Sequence, residues 1–436
     1  MVDDSNVGQK MYQLADTLFP ICRSITGDGV RETLKVVEQH IPITVHEVKT
    51  GTQVFDWTVP KEWNINDAYI IDPQGNKIVD FKENNLHVLN YSAPIHKKLS
   101  LEELKQNLYS LPDHPEWIPY RTSYYQEKWG FCLTHNQLLA LEDGEYEVVI
   151  DSSLIDGHLS YGEYFIQGES DEEVLFSCHI CHPSLCNDNL SGIALMVYLA
   201  QALSKQKLKY SYRFLFIPGT IGSITWLSQN EKTAKRIKHG LVVVCVGDPG
   251  PFTYKRSRQS DAMIDRITLN VLETSGAPYE VIDFYPYGYD ERQFCSPGFN
   301  LAVGSLSRTT HGCYPEYHTS ADNMSFIDID SWAESLQTYL SIVNVLEYDK
   351  KFINVKPMCE PQLGKRGLYD ATGGTHANDK NFQMALLWIL NLSDGSNSLL
   401  DISERSSIPF STLKMAAEAL LKTDLLEVFA IEQGKA

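Results

Sequence analysis

No stretch of this 436-residue sequence stays apolar for long enough to cross a bilayer, and Met1 to Lys10 is polar, without the apolar core of a secretory signal. Membrane anchorage and export are therefore not expected, and the reading is a cytosolic protein. Positive charge is scarce as well. Lys and Arg number 37 against 56 Asp and Glu, a formal charge of -19 that repels phosphate backbones and anionic lipid surfaces alike. Nucleic acid is thus a poor partner, and the acidity serves solubility first. Paired cysteine spacing is missing too: the nine cysteines, at 22, 132, 178, 181, 186, 245, 295, 313 and 359, are odd in number and form no zinc ribbon. Most are expected as reduced core residues. Only Cys178, Cys181 and Cys186 cluster, beside histidines, where they can back a metal site; ligation of a soft metal is the less favoured role. No internal repeat, low-complexity tract or coiled-coil heptad is present, which removes solenoid and fibrous architectures.

What is there exceeds one hydrophobic core, so two or three domains are expected. Apolar residues recur at helical spacing early on, at Met11, Leu14, Ala15 and Leu18 and again at Leu34, Val37 and Ile41. From about 43 to 144 the period changes. Tyr, Trp and Pro become frequent, with short alternating runs at 52–57 and 68–71, the latter ending in the turn Asp72-Pro73-Gln74-Gly75. From 146 onward strands (146–150, 159–167, 174–178, 212–217, 241–246, 279–284, 301–306) alternate with helices (189–205, 223–228, 261–274, 329–346). This predicts an α/β fold, a mostly parallel sheet flanked by helices, with ligands beyond the carboxyl ends of the strands. After Lys350 a Gly- and Pro-containing connector leads to helices near 382–392, 398–406 and 410–422. Their expected core is Met384, Leu387, Leu399, Ile402, Leu413, Ala417, Leu420 and Leu421, the pattern of a winged helix, with Pro409 near the start of the third helix. The expected domains are 1–43 with 144–350 (α/β), 44–143 (inserted, β-rich) and 351–436 (winged helix). Asn381 to Ala436 holds four basic residues against seven acidic ones, so the helix that would read DNA lacks the charge for it. A protein partner, or a homo-oligomer formed through this domain, is expected instead.

Chemistry concentrates where strands end. Phe176-Ser-Cys-His179-Ile-Cys181-His182 runs into Asn-Asp188-Asn189-Leu-Ser191-Gly192, two imidazoles and a carboxylate at a strand-to-helix junction, where ligands can converge on a metal. Val244-Cys-Val246-Gly-Asp248 places a second carboxylate at a strand end, and Tyr317-His318-Thr-Ser-Ala-Asp322-Asn323 a third imidazole ahead of a helix. Each residue alone reads as a core histidine, a turn residue or a helix cap; together they read as a metal site. Asp322 is the exception and is expected as an N-cap.

In these segments the sequence resembles the zinc aminopeptidases related to bacterial leucyl aminopeptidases and glutaminyl cyclases. It also resembles, over nearly its whole length, a bacterial group of aminopeptidase-like proteins with an inserted β-rich domain and a C-terminal winged helix. Leu18-Phe-Pro-Ile-Cys-Arg-Ser-Ile-Thr-Gly27 and Asp290-Glu-Arg-Gln-Phe-Cys-Ser-Pro-Gly298 carry that second likeness. The resemblance implies zinc, one ion or two, held by His179, Asp188, Asp248 and His318, with His182 the alternative to His179. It also exposes two departures. The aspartate that orients the first histidine, two residues on, is here Cys181, so another group must fix the ring. The family's two glutamates before Gly-Ser are absent from Pro218-Gly219-Thr220-Ile221-Gly222-Ser223. A base must then come from elsewhere: Glu316, Glu291 and Asp290 are the candidates, with Glu163 behind them. Arg292, or Lys255 with Arg256 and Arg258, is a candidate holder of a substrate carboxylate. The implied function is metal-dependent attack of water on a peptide or small amide; the alternative is a catalytically altered scaffold that binds a ligand or a protein partner.

Overall fold

The computed structural model describes residues 6–368 and 380–429. The first half of the polar opening (1–5), part of the connector (369–379) and the last seven residues, with Glu432 and Lys435, lie outside the described residues. The chain divides into two units, Met1–Ile264 with Glu280–Leu336, and Asp265–Tyr279 with Gln337–Ala436. Among the described residues no helix is long and apolar enough to cross a membrane.

The first unit is built on an eight-stranded sheet. Its strands lie in the order Thr44–Lys49, His158–Ile166, Ser211–Ile217, Glu173–His179, Ile237–Val243, Val303–Ser307, Phe252–Lys255 and Tyr279–Ile282. The middle four pair in parallel, 158–166 and 252–255 join them antiparallel, and 44–49 pairs antiparallel with 158–166 at the edge. Every residue of 173–179 and 211–217 is buried, which is why those segments read as mostly apolar without a polar face: helices cover both faces of a parallel centre. The helix Ser191–Leu203 is apolar nearly all round for the same reason.

A second sheet, with strands Lys77–Asp80, Glu62–Ile71, Glu145–Ile155 and Ile95–Ser100 in that order, forms the insertion. Two sequence assignments change here. The strand at 145–155 belongs to this antiparallel sheet and not to the α/β sheet. Its start alternates buried and open positions, the mark of a strand covered on one face. Conversely 44–49 pairs with 158–166 and so belongs to the large sheet.

The helix Asp28–Glu38 meets the insertion through Gly27. Its φ is 100°, and a side chain there would start 1.9 Å from the Trp63 carbonyl oxygen, so only glycine fits. The Arg31 guanidinium binds Asp28 at 2.8 Å and also pairs with Glu62 of the insertion. Burial raises the Glu62 carboxyl, but Arg31 and the His158 N–H overcome it and hold it below the usual carboxylate value. A depressed folded value means stability present above the unfolded value of about 4.5 and lost as pH falls through the folded one. Glu62→Gln is therefore expected to cost about 1–2 kcal/mol at pH 7. In thermal melts of both proteins the gap should shrink steadily as the buffer is taken below pH 4.

The second unit contains the sheet Asp394–Ser398, Lys351–Asn354, Leu426–Val428 and the helices Lys380–Leu392, Leu399–Ser406 and Phe410–Lys422. Its core is Phe382, Ala385, Leu386, Ile389, Leu399, Ile402, Leu413, Ala417 and Leu420. The first helix is thus turned by about one residue from the expected face: Met384 is exposed and Leu387 only half-buried, as is Leu421 on the third. Pro409 sits at the N-cap of the third helix. The unit also takes in the helix Met263–Ser275 from Asp265 on: Arg266 reaches Asp401 at 2.7 Å and Asn270 meets Ser403 at 3.0 Å.

Candidate metal centre

His179 ends the buried strand Glu173–His179, and Asp188 lies in the turn Cys186–Leu190 that opens the helix Ser191–Leu203. That turn is tied down on every side. The Asp322 carboxylate accepts the N–H groups of Asn187 (2.6 Å) and Asp188 (3.0 Å), Asn187 accepts the Gly247 N–H at 2.9 Å, and Asn189 donates to the Val243 carbonyl at 3.0 Å. Asp322 is therefore a clamp and not the expected cap; Asn323 caps the short helix Met324–Phe326 by accepting from Ser325. Burial pushes the Asp322 carboxyl up to about 8, against the pull of the Asn187 N–H.

Three imidazoles converge on Asp188. His179 Nε2 lies 2.8 Å from Oδ1, His182 Nε2 lies 3.7 Å from Oδ2, and His318 Nε2 bonds Oδ2 at 3.0 Å. One ligand atom from each of His179, His182 and Asp188 can be drawn so that all lie within 4.8 Å of one another, the spacing of donors around one ion. The contact of His179 is telling. Both of its ring nitrogens are buried without a hydrogen-bond partner, so the 2.8 Å approach to Asp188 is not an aligned N–H···O bond. Burial works against ionisation of Asp188, yet the imidazoles of His182 and His179 hold its carboxyl well below the usual range. Burial likewise keeps His182 well below the usual histidine value. An ionised carboxylate and a neutral imidazole are the forms that bind a metal, so the residues present fit one.

Other residues named from the sequence go elsewhere. Asp248 does not join the cluster. It is buried, and its two oxygens accept from the Thr309 hydroxyl (2.5 Å), the Gly250 N–H (2.8 Å), Asn187 Nδ2 (3.1 Å) and the Thr309 N–H (3.2 Å). With its lone pairs so engaged, it braces the turn from behind. Glu163 pairs with Arg213 and accepts from Trp226 at 2.8 Å. Glu291 is buried against Lys255 at 2.8 Å, which withdraws Lys255 from any role as an exposed anion holder. Arg256 and Arg258 bind the Ser260 carbonyl and Asn300, and Arg292 lies over the Tyr287 ring. The Glu316 carbonyl closes the local turn by accepting from Thr319, and its carboxylate is not among the groups gathered at Asp188. Asp290 is buried with one oxygen 2.7 Å from the Ser223 hydroxyl; burial, opposed by Ser223, pushes it up to about 6. Of the cysteine cluster, Cys181 lies behind the site, its sulfur 3.3 Å from His182 Nδ1, and Cys186 touches the sulfur of Met324.

Tyrosines were the residues the sequence reading missed. Tyr289 donates to Asp188 Oδ1 at 2.9 Å and stacks on the His179 ring at 4.6 Å; its hydroxyl lies 3.1 Å from that of Tyr317, which stacks on His318 at 3.9 Å. Tyr120 comes from the insertion and sits 5.1 Å from the His182 ring and 5.0 Å from that of His318. Its N–H bonds the His318 carbonyl at 2.7 Å, and Ile118 and Ser320 exchange two further bonds, which hold His318 at a φ of 55°. Arg23, in the 18–27 segment, donates to the His182 carbonyl at 2.8 Å. Only the frequent Tyr and Trp of 43–144 hinted at the role of Tyr120.

The chain as a whole is similar to known proteins. Residues 12–349 match the model of a domain of unknown function, DUF4910, and residues 350–428 match a winged helix-turn-helix. A Clostridium acetobutylicum protein, described as a candidate polysaccharide biosynthesis protein with an aminopeptidase-like domain, is 56% identical over 427 residues, 98% of each chain. The crystal structure of a candidate peptidase from Clostridium acetobutylicum superposes with a TM-score of 0.92 at 54% identity, covering 97% of this chain and 98% of that one. A zinc aminopeptidase from Bacillus subtilis shares the fold alone, with a TM-score of 0.57 at 12% identity over 78% of this chain and 94% of that one. The chain belongs to the DUF4910 family, aminopeptidase-like proteins that here carry a C-terminal winged helix.

Proposed function

We propose that the protein is a metal-dependent amidohydrolase of the aminopeptidase type, with zinc held by His179, His182 and Asp188. The observation that carries the reading is the convergence of three imidazoles on one buried carboxylate, with the His179 nitrogens left unpartnered. When bound, zinc supplies Lewis acidity to an amide carbonyl and makes water a nucleophile near neutral pH. The chain's own groups do the rest. His318, the most exposed imidazole of the cluster, is engaged with Asp188 through Nε2 and would serve as proton acceptor through Nδ1. Tyr317 offers a hydroxyl next to that of Tyr289 for a substrate oxygen. The insertion, through Tyr120, walls one side and restricts the site to small or extended substrates, a free amino terminus being the natural feature to recognise. For the winged helix, its acidic balance favours a protein partner over DNA.

His318→Ala should keep zinc but lose at least about 100-fold in turnover, the usual worth of a positioned proton acceptor. Steady-state rates set beside metal content would show it. The reading as a whole is tested on purified protein stripped with a chelator and then restored with zinc, against α-aminoacyl amides, N-blocked amides and an N-acetylated amino sugar, the last because of the relative's description. Cleavage that disappears and returns with zinc supports it. A zinc-loaded protein inert towards the panel favours a binding scaffold, in keeping with the missing glutamates at Gly219 and Thr220.

A further inference from the structure

His179 has two ring nitrogens and only one side facing Asp188. A metal-binding histidine normally has its other N–H held by a carboxylate, carbonyl or water, which fixes the tautomer and the ring plane. Cys181 does not do this, since its sulfur is turned to His182 Nδ1 and, at 3.7 Å, to the Gly219 carbonyl. His179 Nδ1 is buried without a partner, and so is Asp290 Oδ2. One is a donor in search of an acceptor, the other an acceptor without a donor. The two residues meet beside Gly219: a side chain begun there would stand 3.0 Å from His179 Cβ and 3.4 Å from Asp290 Oδ2. The other carboxylate oxygen is 2.7 Å from the Ser223 hydroxyl, which anchors the group.

We infer that Asp290 is the positioning residue of His179, a carboxylate supplied from the loop before 291–294 that holds the Nδ1–H through one water while Nε2 faces the metal. Gly219 is part of the device, because a side chain there would press on both residues. This rests on the metal site proposed above, but it concerns a residue that does not touch the metal.

The test is zinc affinity of the full chain, by competition with a chromophoric chelator, for wild type, Asp290→Asn, Asp290→Glu and Ser223→Ala. A 15N spectrum of the histidine side chains records the His179 tautomer. Asp290→Asn should weaken zinc binding 10–100-fold, the range for loss of such a partner, and blur the tautomer; Asp290→Glu should recover part of the affinity. Ser223→Ala should shift affinity the same way by less, and covers the case in which Asp290→Asn does not fold. Wild-type affinity in Asp290→Asn, or a drop equalled in Asp290→Glu with an unchanged His179 tautomer, would overturn the inference and leave the metal site standing. Absence of zinc binding in wild type would overturn both.

Discussion

Asp188→Ala is expected to remove zinc binding, and amide hydrolysis with it. Asp188 is the one residue every other group of the cluster addresses: three imidazoles and the Tyr289 hydroxyl point at its two oxygens. Loss of a mere outer partner costs 10–100-fold in metal affinity, so loss of this ligand should exceed about 100-fold. The same change removes a buried charge but strands the Tyr289 and His318 donors that it accepts from, so the metal-free fold should lose stability as well. Thermal melts separate the two effects. Zinc at about 1,000 times its dissociation constant adds roughly 4 kcal/mol to a protein that binds it. Wild type should rise accordingly and Asp188→Ala should not move; an equal rise in both would place the ion elsewhere.

Asp248→Ala and His182→Ala should fail in opposite ways. Family resemblance makes Asp248 a ligand, whereas the structure engages it with four donors from Asn187, Gly250 and Thr309. Alanine there strands those donors in a buried site, at a cost of about 3 kcal/mol or more, while the zinc donors stay in place. His182→Ala removes a donor whose nitrogen lies 3.7 Å from Asp188 and should cost zinc affinity far more than stability. Chemical unfolding and zinc titration on both variants give the contrast. An Asp248→Ala protein that is stable and zinc-free would restore the family's ligand set.

The parts of this legible in the sequence were those set by local pattern. Mostly apolar runs ending in His179 and near Asp248 announced central strands with polar residues at their carboxyl ends, and the periodicity of 7–38 gave two amphipathic helices. What escaped were choices made by tertiary pairing. The strand at 145–155 goes to the insertion sheet because its partners are 62–71 and 95–100, more than forty residues away, and no local pattern records partners. His179 and His182, set as alternatives by the sequence, both stand near Asp188, and only three-dimensional convergence brings them there together. Asp322 read as a cap from its position before Asn323, yet it faces back across more than a hundred residues to the 187–188 backbone. Tyr120 reached the site only because 118–120 pairs with 318–320.

The most direct test is a zinc titration of the metal-free protein, with bound metal counted by elemental analysis, run on wild type, His182→Ala and Asp248→Ala. The account predicts one ion per chain in wild type, its loss in His182→Ala and its retention in Asp248→Ala. A wild type that binds none, or one that keeps its ion without His182 and loses it without Asp248, would contradict it.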